Sequence, residues 1–288
     1  MTTGDINAGV NVPSMSKNAA TRDTTDRPDS WSSPGGRRIA ITGAASGIGL
    51  AAALAAIRAG DEVWALDRDE AALRSLASQV PDGLLHTVVI DVTDQQSIAA
   101  AFGPISESGG LDVLVNSAGI FPRARLDEVS LDHVARVHAV NFLGAVGCTL
   151  AARSALVARS GRGPTGGRST IVFLTSAAAL VKLAASEFQR GFAAYGASKA
   201  ALDRWVVGVA PEFDAEGVLV SLLCPGAIVA TPGVVNVLSE EERVNAVSPR
   251  QVVAALGELT FDRLERPNGA RLLATDYGTV WGAATSGV

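Results

Sequence analysis

The sequence predicts an α/β protein: a single-domain, doubly wound sheet of seven parallel strands with helices on both faces. Three observations carry this. From Arg37 onward, short β-branched runs alternate with Ala/Leu-rich stretches of helical length. The runs are apolar enough to be buried on both faces, which marks a parallel sheet covered by helices. Seven such units follow one another with no break in composition, so residues 37–288 read as one domain, within the range of a single α/β unit.

The first strand is Ile39–Thr42 and the helix after it spans Ile48–Ala59. The stretch Ile39–Ile57 carries no charge and is nearly long enough to cross a bilayer. Gly43, Gly47 and Gly49 beside Thr42 and Ser46 punctuate it, so it reads as strand, turn and helix and not as a membrane span. The second strand, Glu62–Leu66, leads to a helix over Asp69–Ser78, and the third, Leu85–Ile90, to one over Gln95–Phe102. Val113–Asn116 is the fourth strand, followed by a long helix, Leu131–Val157. Thr170–Leu174 and Val218–Leu223 are the fifth and sixth strands, with a helix over Tyr195–Ala215 between them. The last helix, Pro249–Leu259, starts at Ser248-Pro249, a capping hydroxyl followed by proline in the first turn, and Ala270–Ala274 closes the sheet.

Residues 1–36 are different material, rich in Thr, Asn, Asp, Ser, Gly and Pro, and are expected to form a disordered or loosely docked extension. They lack the cationic start and apolar run of a secretion signal. Trp31 is their one large aromatic and the residue that could pin them to the body. A formal charge of −5 offers no basic footprint for nucleic acid. Cys148 and Cys224 have no metal or redox spacing and read as buried thiols suited to a reducing, cytoplasmic compartment. His86, His133 and His138 form no ligand pattern, so no metal is expected.

The chemistry begins at the first turn. Gly43, Gly47 and Gly49 let the backbone turn sharply and approach a ligand where a Cβ would clash. The helix that opens there presents unpaired N–H groups and the positive end of its dipole, a seat for a pyrophosphate. Asp67, at the end of the second strand, stands where a ribose-binding acid belongs in a dinucleotide unit. Its carboxylate would accept from ribose hydroxyls and repel a 2′-phosphate, which favours NAD. Arg68 beside it could hold that phosphate, so NADP stays as the alternative. The other signal is Tyr195-Gly-Ala-Ser-Lys199: a phenol and an ammonium four residues apart share one helix face.

These residues resemble the short-chain dehydrogenases/reductases, from about Arg37 to the last strand. Thr42-Gly43-Ala44-Ala45-Ser46-Gly47-Ile48-Gly49 is similar to that family's cofactor loop, and Asp91-Val92 to its adenine-contacting pair. Asn116-Ser117-Ala118-Gly119 resembles its Asn-Asn-Ala-Gly motif, and Tyr195 with Lys199 its Tyr-x-x-x-Lys motif. Pro225-Gly226 resembles its nicotinamide-side turn, with the Ile228 backbone and Thr231 as further cofactor contacts. The resemblance implies a Rossmann-type fold, an NAD cofactor and a homodimer or homotetramer packed through the helices containing Asn141 and Trp205. It also implies roles. Tyr195 would be the general acid/base, and Lys199 would lower its pKa and bind the nicotinamide ribose. Ser176 would hold the substrate oxygen, with Thr175 as its neighbouring competitor. Asn141, a poor helix former in a helical run, would fix a water linking Lys199 to solvent.

Two departures stand out. Eighteen residues separate Ser176 from Tyr195, about six more than usual in the family, and the extra segment holds Lys182, Glu187, Phe188 and Arg190. It either shapes the pocket or forms a longer surface loop. Thr231 comes one residue late, and Thr231–Val247 would be the substrate lid, its Val234, Val235, Val237 and Leu238 pointing to a hydrophobic substrate. The expected activity is hydride transfer between NAD and a secondary alcohol or ketone, hydrophobic or cyclic. The alternatives are an NADP-linked carbonyl reductase and a non-catalytic NAD-binding sensor.

Overall fold

The computed structural model describes residues 31, 35–180, 190–235, 238, 240–244, 246–261, 266–278 and 280–281. The strands are β1 (Arg38–Thr42), β2 (Glu62–Asp67), β3 (Leu85–Val89), β4 (Val113–Asn116), β5 (Ser169–Leu174), β6 (Val218–Cys224) and β7 (Ala270–Leu273). They form one sheet in the order β3-β2-β1-β4-β5-β6-β7, with every pairing parallel. The order reverses between β1 and β4, which opens a crevice at their carboxyl ends.

Side chains alternate across a strand, so apolar residues at every position require a cover on each face. Ile39 and Ile41 of β1, with Val113 and Val115 of β4, face a core completed by α1 (Gly47–Arg58), α2 (Glu70–Ala77) and α9 (Pro249–Leu259). Ala40 and Leu114 face the other way, toward α3 (Gln95–Glu107), α5 (Ala145–Arg159) and α6 (Ala193–Ala215). The exception is β3. At the sheet edge, His86, Thr87 and Val89 are exposed, so the expectation of two buried faces fails there. The helix starts follow their caps: Asp69 accepts from Ala72 N–H, Asp94 from Gln96 and Ser97, and Ser248 from Arg250.

The long helix expected over Leu131–Val157 is not uniform. It comprises α4 (Leu131–His138), a π-helical segment (Ala139–Gly144) and α5. Two short helices, α7 (Pro232–Val235) and α8 (Glu240–Val244), occupy the expected lid. Val234 and Val235 are half-buried and Leu238 is buried, while Val237 lies outside the described residues.

Trp31 is docked, only 4% exposed. Its indole N–H donates to Asp61 Oδ2 at 3.1 Å, and its ring lies against Gly257 of α9, where an added Cβ would come within 3.3 Å. Asp61 also accepts from Arg37 through the backbone N–H, Nε and Nη2, the last at 2.8 Å, with both side chains buried. The guanidinium lies 3.9 Å over the Phe261 ring and donates to both oxygens of Thr260. Trp31 therefore closes a buried ionic cluster at the amino end of the sheet.

Candidate active site

At the switch point, Gly43 and Gly47 take φ of +68° and +56°, a region L side chains avoid. A Cβ on Gly43 would lie 2.8 Å from Ala118 Cα, so the first turn and the Asn116–Gly119 loop pack backbone to backbone. Thr42 Oγ1 joins them, accepting from the Ser117 and Ala118 N–H groups. Gly49 is tighter: its Cβ would sit 2.2 Å from Gly43 O. We expect Gly49→Ala to lower stability by about 1–3 kcal/mol in denaturant melts. Gly103→Ala, in α3 with open space around it, should be neutral or slightly stabilising.

The first turn of α1, Gly47-Ile48-Gly49, follows Ser46 and carries no acidic residue, leaving its N–H groups and dipole to an anion. Asp67 stands at the end of β2, half-buried, with its oxygens accepting from Ala45 N–H at 3.0 Å and Asp69 N–H at 3.1 Å. Each oxygen keeps a second acceptor site for a ribose hydroxyl. Asp91 is exposed, and its carboxyl is held below the usual range mainly by the hydroxyl and N–H of Thr93. Val92 packs against Gly144 of the π-helical segment. A turn whose three glycines let the chain pack this tightly at the switch point, with an acid at the next strand end, fits a nicotinamide dinucleotide.

The acid–base residues converge although 18 residues separate Ser176 from Tyr195. The nearby Ser176 hydroxyl draws the Tyr195 pKa down, but burial is the larger effect and pushes the phenol up to about 12. The expected electrostatic lowering by Lys199 is not met in the chain alone. Its Nζ lies 6.0 Å from the Tyr195 ring centroid and donates to the Leu174 carbonyl at 2.8 Å. Burial also lowers Lys199 itself, to about 8. The Thr175 hydroxyl donates to Asp203 instead of joining Tyr195.

Asn141 is fully buried in the π-helical segment. Its Nδ2 donates to Ile120 O at 3.0 Å and Ser198 Oγ at 3.1 Å, and its Oδ1 accepts from Ile120 N–H at 2.8 Å. Both amide hydrogens are thus committed, so any water it holds must bind through an oxygen. Gly119 lies between Asn141 Oδ1 and Lys199 Nζ, with its Cβ position 3.4 Å from the first and 3.9 Å from the second. Asn116 Nδ2 donates to Thr149 Oγ1 at 3.0 Å, and its buried Oδ1 has no partner among the described residues.

On the other side, Pro225 precedes Gly226, whose φ of +78° and 2.4 Å Cβ approach to Thr275 Oγ1 require glycine. The Ile228 carbonyl accepts from Val247 N–H at 2.7 Å. Thr231, though one residue late in sequence, reaches the glycine turn: a Gly47 Cβ would lie 2.9 Å from its Cγ2. Of the extra segment, Lys182, Glu187 and Phe188 lie outside the described residues. Its end is joined to the loop after β4, with Gly191 O accepting from Ala124 N–H and Phe192 stacked 4.2 Å from Phe121. Phe121 meets Tyr195 edge-on at 4.4 Å.

Sequence reasoning missed Phe121, Phe192, Ser198, Asp203 and Arg271. Ser198 and Asp203 were within reach, since both lie on the Tyr195 helix and Asp203 follows Lys199 by four residues. Arg271 arrives from β7 and carries no local signal.

A glycine cradle at the switch point of a parallel sheet, with a Ser–Tyr–Lys group at the strand ends beside it, defines an oxidoreductase of the dinucleotide-binding class. A model of the short chain dehydrogenase family matches residues 37–242, and the chain belongs to that family. It is 35% identical over 214 residues to the probable oxidoreductase EphD of Mycobacterium tuberculosis, covering 72% of this chain. The chain spans about a third, 34%, of that relative's length. It is 32% identical over 256 residues to the galactitol 2-dehydrogenase (L-tagatose-forming) of Cereibacter sphaeroides, covering 84% of this chain and 94% of that one. An NADPH-bound carbonyl reductase from chicken fatty liver superimposes with a TM-score of 0.73 at 26% identity, covering 84% of this chain and 97% of the other.

Proposed function

We propose that the protein transfers a hydride between NAD(H) and a secondary alcohol or its ketone, hydrophobic or cyclic, with Tyr195 as general acid/base. The observation that carries this is the convergence of three groups: the Ser176 hydroxyl acts on the Tyr195 phenol, and Lys199 lies one helical turn from Tyr195. The dinucleotide supplies the hydride acceptor and, when oxidised, a positive charge near the phenol. Ser176 orients the substrate oxygen by hydrogen bonding. Tyr195 takes the hydroxyl proton as the carbinol C–H bond gives up its electron pair, and returns a proton in reduction. Lys199 holds the ribose side and stabilises the phenolate. The proton leaves through groups beside Asn141. Phe121 and Phe192 beside Tyr195 support an apolar or cyclic substrate face.

Asp67 supports NAD, since a 2′-phosphate placed at a half-buried carboxylate would be repelled. Arg68 is exposed beside it and, with the NADPH-bound relative, supports NADP as the second reading. The test is a spectrophotometric panel of cyclic, aromatic and aliphatic secondary alcohols with NAD⁺ and NADP⁺ in parallel. NAD⁺ should be preferred by roughly tenfold or more, and Asp67→Ser should remove the preference, the worth of one charged contact. A wild-type preference for NADP⁺ would reverse this assignment. Exposed Leu143, Leu150 and Val157 on one helix and Val207 on α6 support a homodimer or homotetramer, and the buried cysteines support a cytoplasmic location.

A further inference from the structure

The end of β5 is gripped at three successive residues. Lys199 Nζ donates to the Leu174 carbonyl, the Thr175 hydroxyl donates to Asp203 Oδ1, and Arg271 Nη2 donates to the Ser176 carbonyl at 2.8 Å. Arg271 Nε also donates to Asp203 Oδ2 at 3.0 Å, so the guanidinium bridges a carboxylate and a backbone carbonyl. The grips come from two elements far apart in sequence, α6 and β7, and converge on the residues that carry the substrate-facing hydroxyl. Asp203 sits one turn beyond Lys199 on the same helix.

We infer that Asp203 and Arg271 are positioning residues: they fix the Thr175–Ser176 backbone so that the Ser176 hydroxyl meets Tyr195, and they set the charge of Lys199. This rests on the dehydrogenase reading above. The groups around Lys199 are Tyr195 and Asp203 on α6, the Leu174 carbonyl of β5, the neutral amide of Asn141 in the π-helical segment, Cys224 at the end of β6, and Arg271 of β7. Cys224 shares Arg271 and its thiol is pushed up by burial, so it stays neutral. Asp203 is therefore the anion that favours a protonated Lys199, and Arg271, a cation bonded to Asp203, partly offsets that carboxylate. Burial raises the Asp203 carboxyl while Thr175 and Arg271 pull it back down, so the carboxylate depends on the same partners it organises.

The chain has only three lysines, Lys17, Lys182 and Lys199, so ¹³Cε-lysine labelling gives three resonances, the other two assigned with Lys17→Arg and Lys182→Arg. Asp203→Asn should move the Lys199 titration down by about one pH unit, and Arg271→Gln should move it up by a similar amount. Loss of packing alone cannot produce opposite signs. Thr175→Val removes one grip without changing charge: Lys199 should stay put while kcat for alcohol oxidation falls a few-fold. In Asp203→Asn and Arg271→Gln, kcat should fall about tenfold with KM changed less. Shifts of the same sign, no shift, or an unchanged kcat in all three variants would overturn the inference. The titration is read on the protein without cofactor. A wild type inactive toward every alcohol, and no different from Tyr195→Phe, therefore sinks the dehydrogenase reading separately.

Discussion

Tyr195→Phe should reduce alcohol oxidation by about 10³–10⁴-fold while leaving NADH binding, followed by fluorescence, within a few-fold of wild type. The phenol contributes nothing to the glycine cradle, and phenylalanine keeps the ring contacts with Phe121 and Phe192. The loss should fall on kcat, because the missing group acts on a proton that moves only in the transition state. The pH profile gives a second readout. In the chain alone the phenol titrates at about 12, so oxidation, which needs it deprotonated, should rise with pH through the neutral range. Reduction, which needs the proton, should stay flat across that range and fall only as pH nears 12. A mutant that keeps a tenth or more of wild-type activity would remove Tyr195 from the chemistry.

Asp61→Ala should be the most destabilising single change at the amino end of the sheet. It leaves the Arg37 guanidinium, 2% exposed, without its carboxylate and deprives the Trp31 indole of its acceptor. Breaking a buried pair from one side costs about 3–5 kcal/mol, which for a domain of this size lowers Tm by roughly 10 °C. The double substitution Arg37→Met with Asp61→Leu should recover much of that loss, since no charge is then left buried alone. Chemical denaturation of the wild type, Arg37→Met, Asp61→Leu and the double variant closes the cycle, with Asp61→Ala measured beside them. An Asp61→Ala change of less than about 1 kcal/mol would show that water or another group compensates for the carboxylate.

The sheet was legible because its cause is local. Two-sided burial writes apolar residues at consecutive strand positions, and Ser248-Pro249 announces its helix within a turn. The cradle was legible for the same reason, since three glycines and one acid lie on two adjacent βα units. What escaped was assembled at long range. The Arg271–Ser176 bond joins residues 95 apart, and the Arg37–Thr260 bond joins residues 223 apart. That burial outweighs Lys199 at Tyr195 in the chain alone escaped because a pattern of residue types says nothing of burial, which dominates both pKa values here. The exposed face of β3 escaped because composition does not reveal which strand lies at an edge.

The π-helical segment sets a limit on insertion and deletion. A π turn accommodates an extra residue, and each residue of an α-helix turns the chain by about 100°. Deleting one residue between Ala139 and Gly144 would remove that extra residue and let a regular α-helix join α4 to α5 with both keeping their present faces. Deleting one from the first turn of α5 would instead rotate everything upstream by that angle. Val137, now fully buried, would swing away from the core, and a residue chosen for solvent would take its place. Alignments that treat the two halves as one regular helix will drift out of phase at Asn141.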